Sequence, residues 1–351
     1  MKLQLLTLLT SPSVFIEKGC NTTYCQDMAF SSSAIFTTSR TLPTQVPLVQ
    51  SILLSTPLTS QTFVHKHPVT TIRSTSVFSL KNRNPERLVP KRKASMAEAV
   101  TNKGKGDVKV FDSEEDLAVS LAKYVADLSD KYAKERGAFT VALSGGSLIK
   151  SLRKLVDLPH LSSVDWDKWH VFWVDERVVP KDHPDSNYLL ACDGFLSKIP
   201  LLPGNVYSIN DALSAKGAAD DYETCLKHLV QNKTLVLSES GFPKFDLILM
   251  GMGPDGHVAS LFPGHPLVQE NKQWVASIED SPKPPPERIT FTFPVINSSE
   301  HIAIVAAGAS KAHPVHVSVG DGQNSDLLPV QLVSPEGELA WFLDKEAASK
   351  L

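Results

Sequence analysis

The sequence predicts an α/β protein: an open, mainly parallel sheet with helices on both faces, in a single domain. Three observations predict it. Short apolar runs of strand length alternate with longer segments whose apolar residues recur at helical spacing. The alternation starts at about residue 106 and continues to residue 351. Each unusual motif follows directly on an apolar run, where parallel sheets carry their ligand loops.

The elements follow in order. In "DSEEDLAVSLAKYVADLSDKYAKERG", Leu117, Leu121, Val125 and Leu128 keep helical spacing. Asp112 or Ser113 suits its start and Gly137 its stop. "AFTVAL" is a buried strand, and Ser144–Ser147, "SGGS", turns it into a helix reaching Leu155. "WHVFWV", Trp169 to Val174, is a strand that releases Asp175, Glu176 and Arg177. "AADDYETCLKHLV" is helical. "FDLILMG", "RITFTFPVI", "HIAIVAAG" and "WFLD" are further strands. Alternation of this kind builds a Rossmann-like sheet from βαβ units.

The first ninety-five residues differ from the rest. They hold eleven Lys/Arg and three Asp/Glu, with Ser and Thr throughout. This is transit-peptide composition. Residues 96–106 are expected to form a linker and 107–351 the folded domain. From residue 96 onward 35 − 11 = 24 Lys/Arg face 38 − 3 = 35 Asp/Glu, so the body is near −11 against −3 for the chain. Such an acidic body argues against nucleic acid, which needs basic patches. No run approaches the length of a membrane span. Cys20, Cys25, Cys192 and Cys225 have neither metal spacing nor a disulfide framework, which suits a reducing compartment. The chain ends in Ser349-Lys350-Leu351, a peroxisomal address. Met96 is a candidate start for a shorter cytosolic product. The expected location is therefore the plastid stroma, with peroxisome and cytosol as further destinations. The macromolecular partners expected are organelle import receptors.

Three motifs should meet at one rim of the sheet. In "SGGS", Gly145 and Gly146 permit close backbone approach, the following helix start offers unpaired N–H groups, and Ser144 and Ser147 add hydroxyls. A tight structural turn is as good a reading of that motif alone. In "DERVVPKDHPDSN", Asp175 and Arg177 leave a strand together, and the body holds only four arginines. Arg177 suits a phosphate, steadied by a neighbouring acid, and Asn187 suits sugar hydroxyls or the loop backbone. In "GMGPDGHVASLFPGHP", Gly251 and Gly253 precede Asp255 and His257 in a turn expected to begin a helix. Histidine suits proton transfer near neutral pH, and an adjacent carboxylate orients it. Arg288 and Lys311 are further cations at strand ends, each also readable as a surface charge. No G-x-S-x-G nucleophile and no metal-spaced cluster is present, so a metal-free, cofactor-free site with His-activated water is expected.

Together "LSGGS", "VDERVVPKDHPDSN", "GMGPDGHVASLFPGHP", "RITFTFPVIN" and "GASKA", in that order, resemble the 6-phosphogluconolactonases of the glucosamine-6-phosphate isomerase/deaminase superfamily. The resemblance runs from about Val110 to Leu351. It implies hydrolysis of 6-phospho-D-glucono-1,5-lactone to 6-phosphogluconate, the second step of the oxidative pentose phosphate pathway, without a cofactor. It implies His257 as general base, Asp255 as its partner, and substrate contacts from Gly145, Gly146, Arg177 and Lys311, with Arg288 a further candidate. Relatives that act on amino-sugar phosphates carry a Phe-Asn-Glu-type sequence after Asp-Gly-His-x-Ala; this chain reads "SLFPG" there. Two departures stand out. Leu148-Ile149 replaces the Thr-Pro of many members after "SGGS". Pro314, Val315, Val317 and Val319 discourage the helix expected after "GASKA".

Overall fold

The computed structural model describes residues 100–102, 106–322 and 326–351. The transit segment expected over 1–95 and the start expected at Met96 lie outside the described residues. The first described elements are strands β1 (Val100–Asn102) and β2 (Gly106–Phe111), paired antiparallel. Part of the stretch expected as a linker is therefore sheet.

Helix α1 (Glu114–Arg136) carries every local signal of its type. Ser113 Oγ accepts from the Asp116 amide, Glu114, Glu115 and Asp116 fill the first turn, and Lys134 and Arg136 the last. Gly137, at φ 74°, closes it. A cap of this kind contributes about 1 kcal/mol. Strand β3 (Phe139–Leu143) leads to a one-turn helix, α2 (Ser147–Ser151), which continues as a 3₁₀ turn over Arg153–Val156. A short helix α3 (His160–Ser163) precedes β4 (Trp169–Trp173). Then come β5 (Asp175–Arg177), α4 (Asn187–Gly194), α5 (Ala215–Gln231), the small hairpin β6 (Val236–Leu237) and β7 (Pro243–Lys244), and β8 (Leu247–Gly251). The chain finishes with β9 (Val275–Ile278), β10 (Arg288–Phe291), α6 (Phe293–Asn297), β11 (His301–Ala306), α7 (Ala312–Val319) and β12 (Glu338–Asp344).

The main sheet runs β1-β2-β12-β11-β8-β3-β4, parallel throughout except at the β1 edge. Its central strands β3, β8 and β11 are buried on both faces, and side chains alternate between two cores. In β8, Leu247 and Leu249 enter the core beneath α1, while Ile248 and Met250 enter the one beneath α5. In β12, Phe342 takes the first side and Trp341 and Leu343 the second. Each fully buried Leu, Ile or Phe contributes roughly 1.5–3 kcal/mol. Helices therefore cover both faces, as the sequence predicts.

Three expectations are corrected. "RITFTFPVI" is not a strand of the main sheet. Its first four residues form β10, which pairs antiparallel with β5 and β9 in a separate three-stranded sheet. Pro294 then falls in the first turn of α6, where its missing N–H has no acceptor to lose. The Asp-Gly-His turn does not begin a helix: Val258 and Leu261 form a bridge around Ala259, whose φ is 50°. The segment after "GASKA" does form a helix, α7. Pro314 lies in its first turn, and Val315, Val317 and Val319 are buried. Burial of each valine outweighs the few tenths of a kcal/mol by which β-branching disfavours a helix.

The order of strands also locates a crevice. From β3 the chain crosses outward to β4, whereas from β8 it crosses the other way to β11. The connections diverge between β3 and β8, the kind of point at which open α/β sheets bind ligands. Here the Ser144 amide donates to the Leu249 carbonyl at 2.9 Å, which brings the "SGGS" and "GMGPDGH" turns side by side.

Candidate active site

His257 Nδ1 and Asp255 Oδ1 lie 2.6 Å apart. Two acceptors would not approach so closely, so the proton sits on Nδ1 and is donated to the carboxylate. Among the described residues Nε2 has no protein partner, and the ring lines the cleft, packed on Phe262 with centroids 4.7 Å apart. Gly253 makes this possible. A Cβ there would stand 2.0 Å from His257 Nδ1 and 2.4 Å from Asp255 Oδ1. A Cβ on Gly251 would meet only ordinary contacts. Gly253 thus makes room for the dyad itself, not only for a ligand.

The dyad has a third member that the sequence reading passed over. Lys283 Nζ is 3.0 Å from Asp255 Oδ1 and 3.0 Å from His257 Nδ1. Burial alone would raise the Asp255 carboxyl, but the hydrogen bonds and charges of His257 and Lys283 outweigh it and hold the group at about 2. Burial lowers His257, the pull of Asp255 opposes it, and the Lys283 charge lowers it further. The net result keeps the imidazole below its ordinary value and neutral at pH 7.

The opposite wall is built from "SGGS" and the Asp175–Asn187 loop. Gly145 is needed because Asn187 lies against it: a Cβ would fall 1.8 Å from Asn187 Oδ1. Asn187 is buried and held by its Nδ2, which donates to the Asp175 carbonyl at 2.9 Å. Gly146 takes φ 69° just before α2. That helix is a single turn, so its contribution to an anion rests on first-turn amides more than on a long dipole. Leu148 and Ile149 are buried beneath it. Ser147 is exposed at the rim, whereas Ser144 Oγ is buried without a protein partner.

The acid beside Arg177 steadies its backbone, not its guanidinium. Glu176 accepts from the amides of Arg177, Asn187 and Tyr188 at 2.7 Å each, and from Ser186 Oγ. Its burial pushes the carboxyl up to about 7 despite those donors. The Arg177 guanidinium is fixed instead by the Asp185 carbonyl at 2.8 Å, and its Nε has no partner among the described residues.

Arg288 is 3% exposed and already heavily engaged. Nε donates to the Pro285 carbonyl, and Nη2 to those of Lys283 and Pro284. Nη1 reaches Ser260 Oγ at 3.4 Å, and that hydroxyl donates to Asp175 Oδ2 at 2.9 Å. Arg288 and Asp175 therefore frame the cleft through Ser260, a residue the sequence reading did not nominate. Lys311 stands in a 3₁₀ turn after β11, and burial lowers its ammonium, with Lys283 adding repulsion.

One cleft of about 200 Å³, partly open to solvent, gathers Ser144, Gly145, Gly146, Ser147, Asp175, Arg177, Asn187, Gly253, His257, Arg288 and Lys311. Asp255 stands behind His257, outside that lining. Among the described residues no group of three His, Cys, Asp or Glu side chains has the geometry to hold a metal ion. No described helix is long and apolar enough to cross a membrane. The sign for Lys283 was present in "SPKPPPERIT": a cation among prolines, five residues before the nominated arginine. Nothing local marks Ser260.

The family model for glucosamine-6-phosphate isomerases/6-phosphogluconolactonase matches residues 112–341. An Arabidopsis thaliana protein named 6-phosphogluconolactonase 3, chloroplastic, is 55% identical over 332 residues, covering 93% of this chain and 98% of its own. A probable 6-phosphogluconolactonase 4, chloroplastic, from Oryza sativa subsp. indica is 69% identical over 248 residues, or 70% of this chain and 76% of its own. Among solved structures, 6-phosphogluconolactonase from Trypanosoma cruzi superposes with a TM-score of 0.61 at 27% identity, covering 70% of this chain and 96% of that one. A monomeric glucosamine-6-phosphate deaminase shares the fold at a TM-score of 0.57 and 20% identity, covering 70% of this chain and 99% of that one.

Proposed function

Since this chain belongs to the glucosamine-6-phosphate isomerase/6-phosphogluconolactonase family, we propose that it hydrolyses 6-phospho-D-glucono-1,5-lactone to 6-phosphogluconate with His257 as general base. The observation that carries this reading is the pairing in one cleft of a neutral, Asp-oriented imidazole with the cations Arg177, Arg288 and Lys311. The cations suit a phosphate. The imidazole suits proton transfer from water.

In the proposed reaction His257 Nε2 takes a proton from water as the water oxygen bonds to the lactone carbonyl carbon. The tetrahedral oxyanion then re-forms its carbonyl, the bond from that carbon to the ring oxygen breaks, and the imidazolium returns its proton to the departing ring oxygen. Asp255 stabilises the transient imidazolium through the Nδ1 bond. A lactone is already electrophilic, so orientation, a base and stabilisation of the oxyanion suffice, and no metal is invoked. The deaminase reading gains nothing from the 20% identical deaminase, which establishes only a shared fold.

We further propose a plastid location. The Arabidopsis relative named chloroplastic aligns over 93% of this chain, a share that necessarily enters the first ninety-five residues. Ser349, Lys350 and Leu351 are exposed, as a receptor-read peroxisomal address requires. Peroxisomal and cytosolic forms remain part of the proposal and are checked by imaging the full chain and its Leu351-truncated form.

The deciding experiment measures lactone opening, with the lactone generated in situ and the spontaneous rate subtracted. His257→Ala should lower kcat by about 10²- to 10⁴-fold with KM little changed. A folded wild-type protein with no rate above background would end the lactonase reading.

A further inference from the structure

Lys283 is a charged side chain in contact with the dyad, and the proposed reaction leaves it without a role. It does not line the cleft. Its Nζ instead reaches the dyad from behind and completes a triangle with Asp255 Oδ1 and His257 Nδ1, at 3.0 Å to each. Because Nδ1 carries the proton given to Asp255, the short approach of Nζ to Nδ1 is not a second hydrogen bond. It sets an ammonium against a donor nitrogen, and it would oppose a full positive charge on the ring.

The backbone that presents Lys283 is held without help from its side chain. The Lys283 carbonyl accepts from Arg288 Nη2 at 2.8 Å and from Ser281 Oγ at 2.9 Å. The next two carbonyls, of Pro284 and Pro285, accept from the same guanidinium. Phe262 lies beneath the whole arrangement. His257 packs on its ring, and Lys283 Nζ and Arg288 Cζ stand 5.9 and 5.7 Å from its centroid. So many ties for one lysine imply that its place matters.

Resting on the proposed lactonase reading, we propose that Lys283 is a positioning residue. It shares Asp255 Oδ1 with His257 and holds the dyad in its base-competent form, with Nδ1–H turned to the carboxylate and Nε2 bare towards the cleft. Without it, Asp255 would keep its contact with His257 Nδ1, and the ring would gain a proton more easily. The charged groups that face His257 are Asp255 and Lys283 in contact and Asp175 farther off, with Lys311 across the cleft. Asp175 and Asp255 favour the protonated ring, and Lys283 opposes it. Burial still disfavours the charged ring, but removing Lys283 takes away the cation in contact that opposes it, so the imidazole should protonate at higher pH than in wild type.

The test compares wild type with Lys283→Met, Lys283→Gln and Lys283→Arg in the full chain. Two readouts are followed: the pH profile of kcat/KM, and the His257 imidazole followed by NMR through its titration. The acid limb and the NMR midpoint should both rise by about one to three pH units in the Met and Gln variants, the range expected for a charge at this distance. Arginine should restore most of the wild-type profile. The NMR midpoint needs no turnover, so it judges Lys283 even if the lactonase reading fails. Unmoved midpoints in folded Met and Gln variants would overturn the proposal. So would a raised KM with unchanged kcat and pH profile, which would make Lys283 a substrate contact.

Discussion

The two walls of the cleft are finished to different degrees. On the β8 side Asp255 accepts from His257 at 2.6 Å and from Lys283 at 3.0 Å, so the dyad is paired within the wall. On the β3 side Ser144 Oγ, Asn187 Oδ1 and Arg177 Nε are buried and have no partner among the described residues. Buried polar atoms are ordinarily paired, because an unmade bond costs about 1–3 kcal/mol. The contrast teaches how labour is divided. The β8 wall is arranged in advance around a proton. The β3 wall keeps unpaired donors and acceptors, which the proposed function assigns to the sugar phosphate.

The comparison is broken hardest at Gly253. Gly253→Ala would press a methyl into the His257 ring, so kcat should fall about 10²-fold or more from displacement of the base alone. KM should stay within a few-fold, since the β3 wall is untouched. Steady-state kinetics beside His257→Ala check it: the two variants should resemble each other.

Arg177→Met attacks the other wall. It removes a guanidinium whose Nε awaits a partner, while the Glu176 contacts that organise the loop backbone remain. A hydrogen bond to a charged group contributes about 1.5–3 kcal/mol, so KM should rise roughly 10- to 100-fold with the pH profile unchanged. A loss confined to kcat would mean that the two walls are not divided as described. The smallest effect is expected from Ser144→Ala. It removes a hydroxyl that has no protein partner among the described residues, on a residue that lines the cleft. KM should rise about 2- to 10-fold while the thermal midpoint holds or increases; a lowered midpoint would assign Ser144 to the fold.

Much of this was legible in the chain. The helix over 114–136 is specified by its own cap, charges and stop, and the strands by apolar runs too short to be helices. The dyad was legible because its two members lie two residues apart and a turn keeps them together. Other features were not. Arg288 looked like a free cation at a strand end, yet three of its five donors go to carbonyls of the preceding loop. The 312–319 helix looked forbidden, because propensity is local and weak while the burial that overrides it depends on what lies beneath. Strand β10 looked like one more parallel strand, since an apolar run does not state its partner.

By itself the sequence determined the class of fold, the three loops that carry chemistry and the Asp255–His257 pair, because each rests on neighbours in the chain or on periodicity. Only the tertiary structure decided that Gly145 yields to Asn187, that Gly253 yields to His257, and that Lys283 arrives at the dyad from 26 residues away. Those facts are distances between segments remote in sequence. They follow from sheet order and close packing, where a single methyl or ammonium is placed or excluded by atoms that no local pattern names.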